Sequence, residues 1–556
     1  MLLTGAQIII RVLIEQGVDT VFGYPGGTVL HIYDELYKNS DKIRHYTTCH
    51  EQGASHAADG WARVTGKTGV VIATSGPGAT NLVTGIANAY LDSTPLVAIT
   101  GNVATSLLGR DSFQEVDISG VTMPITKHNY LVKDIAKLAD TIREAFNLAK
   151  SGRPGPVLID ITKDVQTGSS EFTPSAPDGT SSYDHARHPD KARLEAAAAL
   201  IREAKRPYIY CGGGVVISNA DRELLAFADR IDAPIGLSIM GLSAVPYTHP
   251  RFLGMVGMHG RYGATKALYE CDLLIAVGTR FSDRATGNKV EFTRDRKVLQ
   301  IDIDPAEIGK NIGVTTSLVG DVGSVLQALL EILDKKEHKE WNDRIRYIKE
   351  HPDNNLEMNP NRLTPQSVIE GACRFNGDNA VATDVGQHQM WTTQYYQFKK
   401  PRTFITSGGL GAMGFGMGAA IGACVGSGFK RTLLFTSDGS FHMNMNEMAT
   451  AVSNNLPLIV VLLNNNALGM VRQWQTLFFD GRYSNTTLNR KTDYVKLAEA
   501  FGAKGLRAET IAGYEKCLEE AYKCDTPVLI DCTIDSDERV LPMIPPGGSI
   551  NDIILK

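Results

Sequence analysis

Three α/β domains with parallel sheets are the fold predicted by this 556-residue sequence. Its length exceeds what one hydrophobic core usually supports. Short runs that are apolar at every position alternate with helix-length segments, the pattern of strands buried on both faces by crossover helices. Two polar breaks divide the chain into blocks of about 1–166, 191–334 and 363–556.

The opening residues, MLLTGAQIIIRVLIEQG, read as an amphipathic helix capped near Thr4; charge interrupts them too often for a signal peptide. GVVIAT (69–74), LVAIT (96–100) and PVLIDI (156–161) are strands of the first block. Residues 167–190, rich in Ser, Pro, Gly and Asp and without apolar period, read as a linker. PYIYC (207–211), LLIAVG (273–278) and VLQIDI (298–303) are strands of the second block. Dense charge from residue 335, followed by HPDNNLEMNPNR, reads as a helix running into a second connector. TLLFTS (432–437), LIVVLLN (458–464) and PVLIDC (527–532) are strands of the third block. The first and third blocks both close on PVLID, a hint of two related units.

The composition, 43% apolar and 21% charged, is that of a soluble globular protein. A formal net charge of −5 gives no electrostatic reason to expect nucleic acid or an anionic membrane as partner. No stretch approaches the roughly 18 apolar residues of a membrane span. The eight cysteines form no CxxC pair and lie mostly in apolar runs, which suits reduced thiols and a cytoplasmic location.

The sharpest chemical signal runs from Ser437 to Asn466. One apolar strand ends at Asp438-Gly439-Ser440 and a second ends at Asn464-Asn465-Asn466, with Asp438 and Asn465 separated by 27 positions. Both fall at strand C-terminal ends, where α/β proteins place ligands. A carboxylate, an amide oxygen and a nearby carbonyl suit a small hard cation completed by diphosphate oxygens and water. A helix starting after Ser440 would turn free N–H groups toward the diphosphate. Asp-Gly-Ser alone is a common helix cap; the second strand ending in Asn-Asn favours the metal. In the first block, Glu51 heads the helix QGASHAADGWARV. From the residues alone it divides evenly between a solvated helix-start acid and a carboxyl in a dry site that exchanges a proton with a ring nitrogen. CGGGVV (211–216) follows a strand in the second block but lacks the GxGxxG spacing of a dinucleotide fingerprint.

Taken in order, GYPGG (23–27), HEQGASH (50–56), SGPGATN (75–81), GRDSFQE (109–115), KHNY (127–130), GRPGPVLIDITKDV (152–165) and RVLPMIPPGG (539–548) resemble acetohydroxyacid synthase over nearly the whole chain. The resemblance implies a thiamine diphosphate-binding fold in the first and third blocks. It implies decarboxylation of pyruvate and transfer of the two-carbon unit to a second 2-keto acid, in branched-chain amino acid biosynthesis. Mg²⁺ would be held by Asp438, Asn465 and the main-chain carbonyl of Ala467. Gly386, Gln387, His388, Gly411, Met413, Gly439, Ser440 and Met470 would contact thiamine diphosphate, and Glu51 would activate it. Gly27 and Gln114 would sit near the substrate carbonyl, with Phe113 walling the site and Lys163 lining its approach. Arg284, otherwise a surface ion-pair residue, would hold the second keto acid's carboxylate. Trp474, otherwise core packing, would contact its alkyl group. The second block would bind FAD in a structural role, with Arg153, Gly212, Gly213, Gly214, Ser238, Ile239, Met258, His259, Gly278, Arg280, Asp302 and Asp321 as contacts. A homodimer or homotetramer with active sites between subunits, and a regulatory small subunit, are the implied partners.

Departures from the family pattern are Ser437 for a glycine, Thr28 for an alanine, Ala104 and Gly418 for prolines, Ser282 for an aspartate and Asp302 for a glutamate. Thr28 and Ala104 bear on the substrate entrance. The rival readings are a flavin-free catabolic acetolactate synthase, a sister decarboxylase or oxidase, and a non-catalytic keto-acid binding protein. Intact Glu51, Asp438 and Asn465 speak against the last.

Overall fold

Residues 1–175, 190–351 and 362–555 are described in a computed structural model. Most of the 167–190 and 351–362 connectors therefore lies outside the described residues. Three six-stranded sheets, each wholly parallel, organise the chain. The ribbon of β1 (Leu2–Thr4) with β8 (Ser169–Glu171) is antiparallel. The first sheet contains β2 (Thr20–Gly23), β3 (Arg44–Thr47), β4 (Gly69–Ala73), β5 (Leu96–Asn102), β6 (His128–Val132) and β7 (Pro156–Thr162). The middle sheet contains β9 (Pro207–Cys211), β10 (Ile235–Leu237), β11 (Phe252–Met255), β12 (Leu273–Val277), β13 (Lys297–Asp302) and β14 (Thr316–Val319). The third contains β15 (Val381–Thr383), β16 (Phe404–Ile405), β17 (Thr432–Ser437), β18 (Leu458–Asn464), β19 (Lys504–Ala508) and β20 (Val528–Thr533).

The first sheet runs β3-β2-β4-β5-β7-β6 and the third β16-β15-β17-β18-β20-β19, the same order strand for strand. Registers agree too: Asn102 lies opposite Thr162, and Asn464 opposite Thr533. Each asparagine donates to the aspartate of its PVLID strand, Asp160 or Asp531. The PVLID repeat thus marks two copies of one framework. The middle sheet runs β11-β10-β9-β12-β13-β14, the doubly wound order of dinucleotide-binding folds.

Thr4 caps the first helix, Gly5–Glu15, in a box with Gln7. The linker predicted from residue 167 begins instead as part of the first unit. Its residues 169–171 form β8, and Phe172 is buried in the first core. A lone Phe among polar residues leaves no apolar period to read.

The first and third units meet through helices Glu51–Thr65 and Phe415–Gly426. Glycines let their backbones touch: a Cβ on Gly60 would stand 2.2 Å from the Ala419 carbonyl oxygen, and one on Gly422 would stand 1.8 Å from that of Ala57. Each helical glycine costs about 1 kcal/mol of propensity, which the close packing offsets. At the far end of the helix Glu51–Thr65, Arg63 pairs with Asp59 and Asp92, both fully buried side chains. Asp92 accepts from the Gly408 and Gly409 N–H groups, and Arg63 donates to the Thr406 carbonyl, so the 406–409 run is fixed to the first unit. Among the described residues no helix is long and apolar enough to cross a membrane.

Candidate active site

Parallel sheets open ligand crevices where strand order reverses, beyond the strand C-termini. Such points lie between β2 and β4, between β15 and β17, and between β9 and β12.

In the third sheet, Asp438 sits at the tip of β17 and is 2% exposed. Its Oδ1 is buried without a hydrogen bond, and burial pushes its carboxyl up to about 7. A carboxylate left this way costs several kcal/mol unless a cation joins it. At the neighbouring tip of β18, Asn465 Oδ1 accepts from the Ala467 N–H at 3.2 Å. Asn466 takes a left-handed conformation (φ 52°). Beyond it the main chain pairs with 486–488 through Leu468 N–H to Thr486 and Leu488 N–H to Asn466. No hydrogen bond ends on the Ala467 carbonyl among the described residues. Among those residues no trio of His, Cys, Asp or Glu could hold a metal. A cation here would rely on one carboxylate plus amide and main-chain oxygens, a donor set that fits Mg²⁺.

The helix expected after Ser440 starts earlier, at Asp438, with Ser437 as its cap. The Ser437 hydroxyl accepts from the Ser440 N–H at 3.5 Å, giving a physical role to the serine that replaces the family's glycine. Ser440 Oγ donates to the Val385 carbonyl at 2.8 Å, drawing the tip of β15 alongside. Gly386 has φ 150°, with the His388 ring folded against it. His388 Nε2 is buried and unpartnered, and burial lowers its pKa to about 3. The Gln387 side chain is already engaged: it donates to Gln473 and the Glu538 carbonyl, with Asn465 beside its oxygen. Met413 reaches to 3.9 Å from where a Gly439 Cβ would stand, and Gly411 (φ 70°) turns beside Val385. Met470 lies half-buried against the core on the helix Gly469–Phe478.

In the first sheet, Glu51 follows β3 as the first residue of its helix and is 9% exposed, not a solvated acid. Asn81 donates to its Oε2 at 2.9 Å. Its Oε1 lies 3.2 Å from where a Gly78 Cβ would stand, so the glycine keeps the 75–78 turn close. Gln114, at φ 59°, packs its backbone against Gly76. Phe113 beside it is 88% exposed. Gly27 and Lys163 are exposed on the same C-terminal rim. No hydrogen bond or ion pair among the described residues joins Glu51 to the tips of β17 and β18 within one chain.

In the middle sheet, Gly212 and Gly214 press on Gly278 across the β9–β12 crevice. Arg280 is half-buried without an ion pair among the described residues, and burial lowers its pKa. Asp302, buried, is pushed up to about 6. Burial lowers His259 to about 4 and leaves its Nδ1 unpartnered. Ser238 and Ile239 lead into the 3₁₀ turn Ile239–Ala244, where Met240 meets Gly213. Met258 pairs main chain with Arg284. Two of the expected contacts are taken up internally: Arg153 is held by Glu307 and Ser93, and Asp321 caps a helix and accepts from Ser218. Arg284 and Trp474, far apart in sequence, come together, with the guanidinium carbon 5.6 Å from the ring centroid.

The sequence matches three descriptions of the thiamine pyrophosphate enzymes. They are the N-terminal TPP binding domain over residues 3–121, the central domain over 194–329 and the C-terminal TPP binding domain over 384–532. It is 46% identical to the acetolactate synthase large subunit of Corynebacterium glutamicum, covering 99% of this chain and 90% of that one. It is 44% identical to a probable acetolactate synthase large subunit of Methanocaldococcus jannaschii (99% and 95%). It is 42% identical to the isozyme 3 large subunit of Escherichia coli (100% and 99%). The chain belongs to the acetolactate synthase large-subunit family. The structure adds residues and roles that sequence reading did not supply. Asn81, inside SGPGATN, bonds Glu51. Thr28 ties the 24–28 turn to Thr74 and Ser75. Glu447 had no signal at all, since a glutamate in a helix reads as solvated.

Proposed function

We propose that this chain is an acetolactate synthase catalytic subunit. It decarboxylates pyruvate and joins the two-carbon unit to pyruvate or 2-ketobutyrate, the first common step of branched-chain amino acid biosynthesis. The observation that carries the reading is the buried, unpartnered Asp438 Oδ1 beside Asn465 and the free Ala467 carbonyl, on adjacent strand tips. Thiamine diphosphate, when bound, supplies the carbon nucleophile and electron sink that side chains lack.

Asp438, Asn465 and the Ala467 carbonyl would hold Mg²⁺, and the N–H groups opening the Asp438 helix would face the diphosphate. Gly386, His388, Gly439, Ser440, Gly411, Met413 and Met470 would bed the cofactor, with Gln387 bracing Asn465. Glu51, fixed by Asn81, would hold and release a proton at the cofactor's ring nitrogen. Gly27, Gln114, Phe113 and Lys163 would line the substrate approach. Arg284 would take the second keto acid's carboxylate and Trp474 its alkyl group. Arg280, with no ion pair among the described residues, and the β9–β12 crevice support FAD in the middle unit, with a structural role because the net reaction is not redox. Domains of 1–166, 191–334 and 363–556 would divide this labour, the first carried on through Phe172, which is buried in its core. Glu51 and Asp438 serve crevices of different sheets, which supports a homodimer or homotetramer with sites between subunits. The relatives' designation as large subunits supports a regulatory small subunit. A cytoplasmic location belongs to the same reading.

One assay tests it: pyruvate, with and without 2-ketobutyrate, thiamine diphosphate and Mg²⁺, beside a visible spectrum. Acetolactate, acetohydroxybutyrate and a flavin spectrum are expected. Acetaldehyde or acetate as sole product would overturn the carboligase assignment, and a colourless active protein the flavin. Glu51→Gln is expected to keep cofactor binding and lose activity by at least about a hundredfold; wild-type turnover would end its assigned role.

A further inference from the structure

One buried acid has no part in the chemistry above. Glu447 is 0% exposed and opens the helix Glu447–Ser453, directly after the Asp438 helix in the third unit. Its carboxylate reaches into the first unit. Oε2 accepts from the Cys49 N–H at 3.2 Å and Oε1 from the His50 N–H at 3.1 Å. Within its own unit, Thr450 Oγ1 donates at 2.7 Å and Asn446 Nδ2 at 3.4 Å. Burial pushes the carboxyl up, and the Thr450 hydroxyl and the two N–H groups counter that push.

The two main-chain donors belong to the residues immediately before Glu51. The His50 N–H lies at a helix start, where no helical carbonyl can reach it. The His50 ring accepts from the Gln52 N–H, and Thr48 Oγ1 donates to the His50 carbonyl, so the whole 48–52 turn is wired. Gly53 leaves room for this: a Cβ there would stand 2.2 Å from Glu447 Oε1. A negative charge at this end also complements the helix dipole.

We propose that Glu447 is a positioning residue for Glu51, fixing the 49–50 turn and hence the direction in which the Glu51 carboxylate leaves its helix. This rests on the reading of Glu51 as the proton-exchanging residue. A simple clasp between units would need the same bonds but would not set turnover selectively.

The test uses the full-length protein with thiamine diphosphate, Mg²⁺ and FAD, and three variants: Glu447→Gln, Gly53→Ala and Glu51→Gln. Glu447→Gln keeps volume and one acceptor; Gly53→Ala displaces the carboxylate without removing it. Amide hydrogen exchange at 49–50, thiamine diphosphate affinity, kcat and KM for pyruvate are read. In both Glu447→Gln and Gly53→Ala, exchange is expected to quicken about tenfold. In both, kcat is expected to fall by about ten- to a hundredfold, with KM and cofactor affinity within about twofold. Wild-type kcat in both variants, with Glu51→Gln inactive, overturns the proposal and leaves the reading of Glu51 standing. Loss of kcat only in proportion to lost cofactor affinity or lost folded protein also overturns it. Wild-type turnover in Glu51→Gln overturns both.

Discussion

The Thr28 hydroxyl accepts from the Ser75 N–H at 3.0 Å and lies 2.9 Å from Thr74 Oγ1. It therefore points inward, where an alanine would leave those groups without it, and it steadies the turn facing Glu51. Thr28→Val should lower kcat several-fold, with about 1–3 kcal/mol lost for unpaired buried groups, while Thr28→Ser stays near wild type; steady-state kinetics read the difference. Trp474→Ala should erase a preference for 2-ketobutyrate over pyruvate of about 1–3 kcal/mol, measured by product ratios in a mixed-substrate assay. The placement of Asp438 and Asn465 at neighbouring strand tips was legible in the sequence because an unbroken apolar run leads into each. Glu447, Asn81 and the inward bonding of Thr28 were not, because their partners lie on other elements and nothing local announces the pairing.

Among the elements, central strands were legible to within about two residues, since burial on both faces leaves an unbroken apolar run. Most strands passed over, such as β3 (RHYT) and β16 (FI), lie toward sheet edges, short or half polar, where burial writes no pattern. The site helix began three residues earlier than expected because Ser437, not Ser440, caps it. Gly418 stands where the resemblance implied a proline. A Cβ there would lie 2.6 Å from the Gly53 carbonyl oxygen and 2.8 Å from His56 Cβ. Gly418→Ala should cost about 1–3 kcal/mol from overpacking, read as a lower thermal midpoint. On β7, burial pushes Asp160 up to about 7 from 3.8. Its folded pKa is raised, so the folded form holds the extra proton, and stability falls as pH rises from about 4 to about 7. Asp160→Asn should remove that part of the slope, gaining on wild type across the window and holding a constant difference above it, by denaturation at several pH values.

At the scale of the molecule, the repeated PVLID gave a true hint of duplication, but only strand order and register reveal its extent. Light scattering should give a dimer or larger. Chelation should abolish activity, and Mg²⁺ should restore it. The positions of the charges have a further consequence. Arg63, Asp59 and Asp92, which tether residues 406–409, are shut away from water, whereas the Arg284 side chain is 61% exposed. Dissolved ions screen exposed charges over about 10 Å at 0.1 M and shorter distances above that. Raising ionic strength to about 0.5 M should therefore weaken capture of the anionic substrates and raise KM. It should leave the maximal rate nearly unchanged, because the tether between the first and third units lies where electrolyte cannot follow.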